Sequence, residues 1–170
     1  KVYPSVVNIN TSVHTTANYY GMAVPYDSNG AGSGVIFNED DQYVYIVTNN
    51  HVVADASTIS VSVTGKETLE ASLVGTDSTA DIAVVKVLKS AFKDAGVEYK
   101  VADFGDSDKL KVGESVIAIG NALGEGKSAT GGMVSVLNKT IEVNNQALNV
   151  IQTSAAINPG NSGGALVNYD

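Results

Sequence analysis

Cysteine and tryptophan are absent from this chain of 170 residues, and histidine and methionine occur twice each. Without cysteine there can be no disulfide staple, no thiolate zinc site and no cysteine nucleophile. His14 and His51 are too few for a histidine-rich metal centre, so neither a metal nor a cofactor is expected. Basic residues are also scarce: 10 Lys and Arg stand against 18 Asp and Glu, a net charge of −8. No basic stripe is available for phosphates, which argues against nucleic acid or an anionic membrane surface as a partner. No apolar run reaches the ~18 residues of a membrane-spanning helix. The first residues, Lys1-Val2-Tyr3-Pro4-Ser5, carry no apolar signal region. The expectation is that any targeting segment has been removed or was never there.

Glycine is abundant (17), and the chain is rich in Val, Thr, Ser and Asn. That mixture favours strands joined by tight turns. Val6–Asn10 reads as a first strand, followed by a long polar loop from Thr11 to Ala31. Gly32–Phe37 and Tyr43–Thr48 flank the acidic turn Asn38-Glu39-Asp40-Asp41 and predict a hairpin. A helical turn is expected over Val52–Ala56, then strands at Ile59–Val63, Leu69–Thr76 and Ile82–Val87. Apolar patterning is weakest over Ser90–Asp108, which reads as a connector. A second series of strands follows at Glu114–Gly120, Gly131–Leu137, Ile141–Thr153 and Gly164–Val167. Short β-branched runs about every ten residues mark an all-β barrel or sandwich, and two series around one connector suggest two barrels.

Two motifs imitate other chemistry. The strand Ser115–Ile119 runs into Gly120-Asn121-Ala122-Leu123-Gly124-Glu125-Gly126-Lys127-Ser128, close to a phosphate-binding P-loop. Asn occupies the place of the first glycine, and Met133-Val134-Ser135-Val136 alternates like a strand where a helix is required. Asp103, Asp106 and Asp108 form an acidic cluster, but their spacing is not that of an EF-hand.

Near the C-terminal end, Asn158-Pro159-Gly160-Asn161-Ser162-Gly163-Gly164-Ala165-Leu166 sets one serine among glycines. A substrate carbonyl could approach bare main chain there, and the N–H groups of Gly160 and Ser162 could face a developing oxyanion. A serine hydroxyl needs a base, and the base needs an acceptor to fix its tautomer. His51 follows an apolar strand, whereas His14 lies in a polar segment. Among the acids, Asp55 could sit one helical turn from His51, Asp77 belongs to a turn, and Asp81 stands at the mouth of the apolar run Ile82-Ala83-Val84-Val85. A buried strand end is where a carboxylate most needs a partner. The order His51, Asp81, Ser162 is that of chymotrypsin-type hydrolases.

Thr48-Asn49-Asn50-His51-Val52-Val53, Asp81-Ile82-Ala83-Val84-Val85-Lys86 and Ala155-Ala156-Ile157-Asn158-Pro159-Gly160-Asn161-Ser162-Gly163-Gly164-Ala165-Leu166 resemble the catalytic blocks of the HtrA/DegP serine proteases. Gly113–Asn121 resembles the strand that opens that family's second barrel. The resemblance implies an all-β, chymotrypsin-like pair of six-stranded barrels. Residues 1–104 would form the first, carrying His51 and Asp81, and residues 105–170 part of the second, carrying Ser162. It implies His51 as general base, Asp81 as its orienting partner and Ser162 as nucleophile, with Gly160, Asn161 and Ser162 supplying the oxyanion hole. It further implies a bacterial extracellular or envelope location, unfolded polypeptide substrates, a homotrimer and a PDZ domain in the full-length protein. Ser154 and Ala122 depart from the family, which commonly has Asp and Pro there. The second barrel shows about four of its six strands, so a second fragment or chain is expected to supply the rest. A catalytically incompetent module that binds peptides is the competing reading, and a nucleotide-binding protein is a third.

Overall fold

The computed structural model describes residues 2–122, 126–143 and 146–169. Its first six strands are β1 (Val6–Tyr19), β2 (Met22–Glu39), β3 (Tyr43–Thr48), β4 (Thr58–Ser62), β5 (Leu69–Asp77) and β6 (Ile82–Leu88). They close into an antiparallel barrel in the order β1-β2-β3-β6-β5-β4. Closure is built on alternation. In β3 the side chains of Val44, Ile46 and Thr48 turn inward, while those between them are only half-buried. The inward set from all six strands, among them Val7, Ile9, Ile36, Val61, Val85 and Val87, forms one apolar core. Each such Val or Ile contributes roughly 1.5–3 kcal/mol by leaving water. A short helix, α1 (Asn50–Val53), follows β3, and a second, α2 (Lys89–Asp94), follows β6. Phe92 of α2 is buried against Tyr99, with ring centroids 4.5 Å apart, and plugs the barrel from the connector side.

The polar stretch from Thr11 to Ala31 is not a loop. β1 and β2 stay in register from Val6↔Val35 to Tyr19↔Met22, so most of it is a long hairpin reaching out of the barrel. Its outer part is exposed or half-buried on both faces, which removes the apolar alternation that marks a strand in sequence. The reversal is made by Tyr20 (φ 50°) and Gly21 (φ 81°), the two positive-φ residues of a tight hairpin turn. The acidic hairpin before β3 has a simple cause as well. Asp40 accepts the N–H groups of Gln42 and Tyr43 and the hydroxyl of Tyr45, each at 2.7 Å.

The second series consists of β7 (Ser115–Gly120), β8 (Ser128–Val143), β9 (Gln146–Thr153) and β10 (Ala165–Val167). These form a four-stranded sheet in the order β10-β7-β8-β9, a partial second barrel. The stretch from 141 to 153, read as one strand, is divided. Ile141 pairs with Leu148 across a hairpin whose tip, residues 144 and 145, lies outside the described residues. Val116, Ala118, Ile119, Val134 and Ala155 are buried on this side. The P-loop look-alike lies partly outside the described residues, at 123–125. After it comes β8, a strand, and Lys127 directs its ammonium to the carbonyls of Tyr3 and Val6 at 3.0 and 2.9 Å.

Candidate active site

β3 and β6 are antiparallel neighbours, with Thr48 opposite Ala83. The residues that follow β3 and precede β6 therefore emerge at the same end of the barrel. His51 is the second residue of α1, and Asp81 is the residue before β6. The two meet there. His51 Nδ1 lies 2.7 Å from Asp81 Oδ2, and the His51 backbone N–H donates to Asp81 Oδ1 at 2.9 Å. The backbone of Asp81 is held too. Its carbonyl accepts the Asn50 N–H at 3.1 Å and the Asn49 side-chain amide at 2.8 Å. Asp81 has φ 53°, a costly conformation for a non-glycine residue, kept here by those contacts from Asn49, Asn50 and His51.

An ionised carboxylate only accepts, so its Nδ1 partner must be the protonated ring nitrogen. Nε2 is then left with a free lone pair. The His51 side chain is 58% exposed, which leaves that nitrogen reachable by a substrate. The other candidate acids are placed elsewhere. Asp77 accepts the N–H groups of Thr79 and Ala80 at 2.9 and 3.0 Å and caps its own turn. Asp55, exposed and at φ 59°, makes no hydrogen bond to His51. His14 pairs with Asp27 across the β1–β2 hairpin, far along the chain from the barrel end. Among the described residues no group of His, Asp and Glu could hold a metal ion.

The serine loop runs from the end of β9 to β10 and is anchored at both ends. Ser154 exchanges hydrogen bonds with Met133, N–H to carbonyl at 3.0 Å and back to its Oγ at 3.1 Å. Gly132 is pressed on Ala155, where a Cβ would lie 2.2 Å from the backbone nitrogen. At the other end Ala165 pairs with Ile119 of β7. Between these anchors the loop turns twice, through Asn161 N–H to Asn158 O at 3.0 Å and Gly164 N–H to Asn161 O at 2.8 Å.

Gly163 explains why the serine is followed by glycine. Its φ is 81°, and a Cβ there would lie 2.2 Å from Ser33 O and 2.3 Å from Thr48 Oγ1. The loop thus lies directly on Ser33 within β2 and on the end of β3, and β3 leads into His51. Ser162 donates no hydrogen bond from Oγ to His51 among the described residues, and the N–H groups of Gly160 and Ser162 have no protein acceptor. Unpaired main-chain donors in a turn are what a developing oxyanion requires. Asn161 differs: its N–H is used within the turn, and its side-chain Oδ1 is buried without a donor.

Sequence reasoning passed over Ser33, Thr48 and Asn121, all buried and all hydrogen-bonded around this loop. The available signal was Gly32-Ser33-Gly34 at the start of the predicted strand Gly32–Phe37. Its glycines make room for Val52, Ile9 and Ile46, which would lie within 3 Å of an added Cβ.

Comparison with known proteins shows the family to which the chain is similar. The trypsin-like peptidase domain family matches residues 32–170. The chain is 46% identical over 174 residues to the serine protease Do-like HtrB of Bacillus subtilis and 43% identical over 178 residues to that organism's serine protease Do-like HtrA. These alignments cover 97% and 98% of the chain but only 37% and 38% of the relatives, so the chain spans under two-fifths of their length. It is also 45% identical over 142 residues to a probable periplasmic serine endoprotease, DegP-like, of Pseudomonas putida, covering 84% of the chain and 28% of the relative. Among solved structures, a variant of the HtrA-type protease AlgW with decapeptide superposes with a TM-score of 0.86 at 31% identity, covering 99% of the chain and 53% of that structure. AlgW with tripeptide gives 0.78 at 34%, covering 98% and 48%.

Proposed function

From a chain that belongs to the trypsin-like peptidase family, with HtrA/DegP serine proteases as its relatives, we propose a serine endopeptidase that cleaves unfolded or misfolded polypeptides. In this reading residues 1–104 are the barrel that carries His51 and Asp81, and residues 105–170 belong to the barrel that carries Ser162. The observation that carries it is the 2.7 Å bond between His51 Nδ1 and Asp81 Oδ2. With Nδ1–H committed to the carboxylate, Nε2 takes the Ser162 hydroxyl proton as Oγ attacks the substrate carbonyl. The unpaired N–H groups of Gly160 and Ser162 receive the oxyanion. The imidazolium returns its proton to the leaving amine, which breaks the peptide bond and leaves an ester on Ser162. Water then repeats the sequence and frees the acid.

Peptide binding has support in the AlgW structures, which are complexes with a tripeptide and a decapeptide. An extracytoplasmic location has support in the periplasmic description of the Pseudomonas putida relative. A homotrimer, a PDZ domain in the full-length protein, and a second fragment or chain completing the four-stranded sheet belong to the same proposal and rest on the family resemblance.

The second reading is a peptide-binding module without catalysis, favoured by the missing hydrogen bond between Ser162 Oγ and His51. In unliganded sites such bonds are often long and tighten only with substrate. A fluorophosphonate probe separates the two, because only an activated serine reacts. The expected result is one covalent adduct on the wild-type chain, none on Ser162→Ala, and loss of casein cleavage in that variant. An unlabelled wild-type chain that still binds unfolded polypeptide would favour the binding module.

A further inference from the structure

Ser33 is completely buried near the barrel end of β2, opposite Asn8 of β1, and uses every hydrogen-bonding group it has. Its N–H donates to the carbonyl of Ser162 at 2.8 Å. Its hydroxyl donates to the carbonyl of Gly160 at 2.7 Å and accepts the Asn121 N–H at 2.7 Å. Its own carbonyl accepts Thr48 Oγ1 at 2.6 Å. One first-barrel residue thus grips the carbonyls of Gly160 and Ser162. The peptide between the two gripped ones carries the Ser162 N–H, which is unpaired among the described residues.

A peptide group is planar and joins one residue's carbonyl to the next residue's N–H, so the two pinned carbonyls fix the 160–161 and 162–163 peptides, which bracket the 161–162 peptide. Gly160, at φ 96°, has no Cβ to restrict it, and nothing intrinsic to the residue selects one orientation. Asn161, between the two pinned carbonyls, has a buried Oδ1 without a donor, a cost that favours rearrangement of the turn. Within the loop the 160–161 peptide is held at its N–H, by Asn158 O at 3.0 Å, and Ser33 Oγ holds its carbonyl from outside. The same oxygen ties Gly160 to Asn121, the residue that follows β7, so both barrels meet the turn at one atom.

We propose that Ser33 is a positioning residue for the oxyanion turn, its buried hydroxyl holding the 160–161 peptide against the end of β7 so that the Ser162 N–H of the adjoining peptide faces the substrate. The assignment rests on the protease reading given above, and it concerns rate more than substrate binding. Losing one oxyanion donor outright costs about 10²–10³-fold in kcat. Loosening the turn that aims the Ser162 N–H is expected to lower kcat about 10–100-fold, with KM for a small peptide ester changed less than about threefold.

The test compares Ser33→Ala, Ser33→Cys and Val61→Ala in the same chain. Val61 is a fully buried residue of β4 and serves as a control for stability loss without loss of the clamp. Ester kinetics, fluorophosphonate labelling rate and Tm are measured for each, below the lowest Tm. Slower labelling and lower kcat in Ser33→Ala than in Val61→Ala, with KM preserved and partial recovery in Ser33→Cys, is the expected result. A Ser33→Ala protein that labels at the wild-type rate, or no more slowly than Val61→Ala, overturns the assignment. If Ser33→Ala does not fold, Ser33→Cys decides alone, because its thiol is a poor donor of nearly the same shape. A reduced kcat supports the clamp, and a wild-type kcat overturns it. A wild-type chain that never labels overturns the protease reading itself, and this assignment with it.

Discussion

Both carboxylate oxygens of Asp81 are directed at a single residue, one at the imidazole and one at the backbone N–H of His51. The two contacts have separable consequences. An asparagine at this position keeps an oxygen for the N–H, so the strand end and α1 stay together. Its amide then faces Nδ1 with a donor, which forces the ring proton to Nε2 and removes the base. Asp81→Asn is therefore expected to fold with little change in Tm while losing about 10³–10⁴-fold in kcat. Circular dichroism melts and ester hydrolysis on the same preparation check both halves. A variant that kept kcat within tenfold would show that the carboxylate does not set the tautomer.

The loop between β4 and β5 shows how an element end is held by one charge. Burial raises the pKa of Glu67, but hydrogen bonds from the Thr64 hydroxyl and from the backbone N–H groups of Thr64, Glu67 and Val63 outweigh it and hold the carboxyl at about 2. Its pKa in the unfolded chain is the ordinary 4.5, so the folded form prefers the charged state. Stability from this source is complete above about pH 4.5 and is lost as the pH falls toward 2. The group is largely solvated, and screening reduces its contribution to about 1 kcal/mol. Glu67→Gln is expected to lower stability by that amount at pH 7 and by almost nothing near pH 2. Urea unfolding at the two pH values measures the difference, and an equal loss at both would refute the charge argument.

The chain's two halves differ in how completely each closes. The barrel of β1–β6 has no free edge, and every residue of its apolar core cluster lies between Val7 and Phe92. The sheet β10-β7-β8-β9 is open, and its outer strand β10 has only three residues. Residues 1–104 expressed alone are accordingly expected to melt cooperatively, and residues 105–170 alone are not. Far-UV circular dichroism of the two fragments tests this. A cooperative transition in 105–170 would show that the open sheet sustains itself. Among the described residues, hydrogen bonds join the halves at the Ser33 cluster on the serine loop and at Lys127 against Tyr3 and Val6. Lys127 is half-buried there, and burial lowers its pKa despite the opposing charge of Glu67.

Local pattern and order along the chain carried much of this protein. Short alternating runs announced the strands, because a half-buried strand must present apolar side chains at every second position. The glycines around Ser162 read as bare main chain for a substrate carbonyl, whereas at Gly163 it is the protein's own Ser33 and Thr48 that leave no room for a Cβ. The outer β1–β2 hairpin was not legible, since strands solvated on both faces leave no periodic trace. Sequence favoured Asp81 over Asp55 and Asp77 for its place at the mouth of an apolar run, but it could not show the contact with His51. That contact depends on β6 lying beside β3, a pairing between segments more than thirty residues apart. Ser33 was the least visible of all. Its role comes from four hydrogen bonds, three of them to Asn121, Gly160 and Ser162 in the other half of the chain, and only the closed tertiary structure brings those groups to one serine.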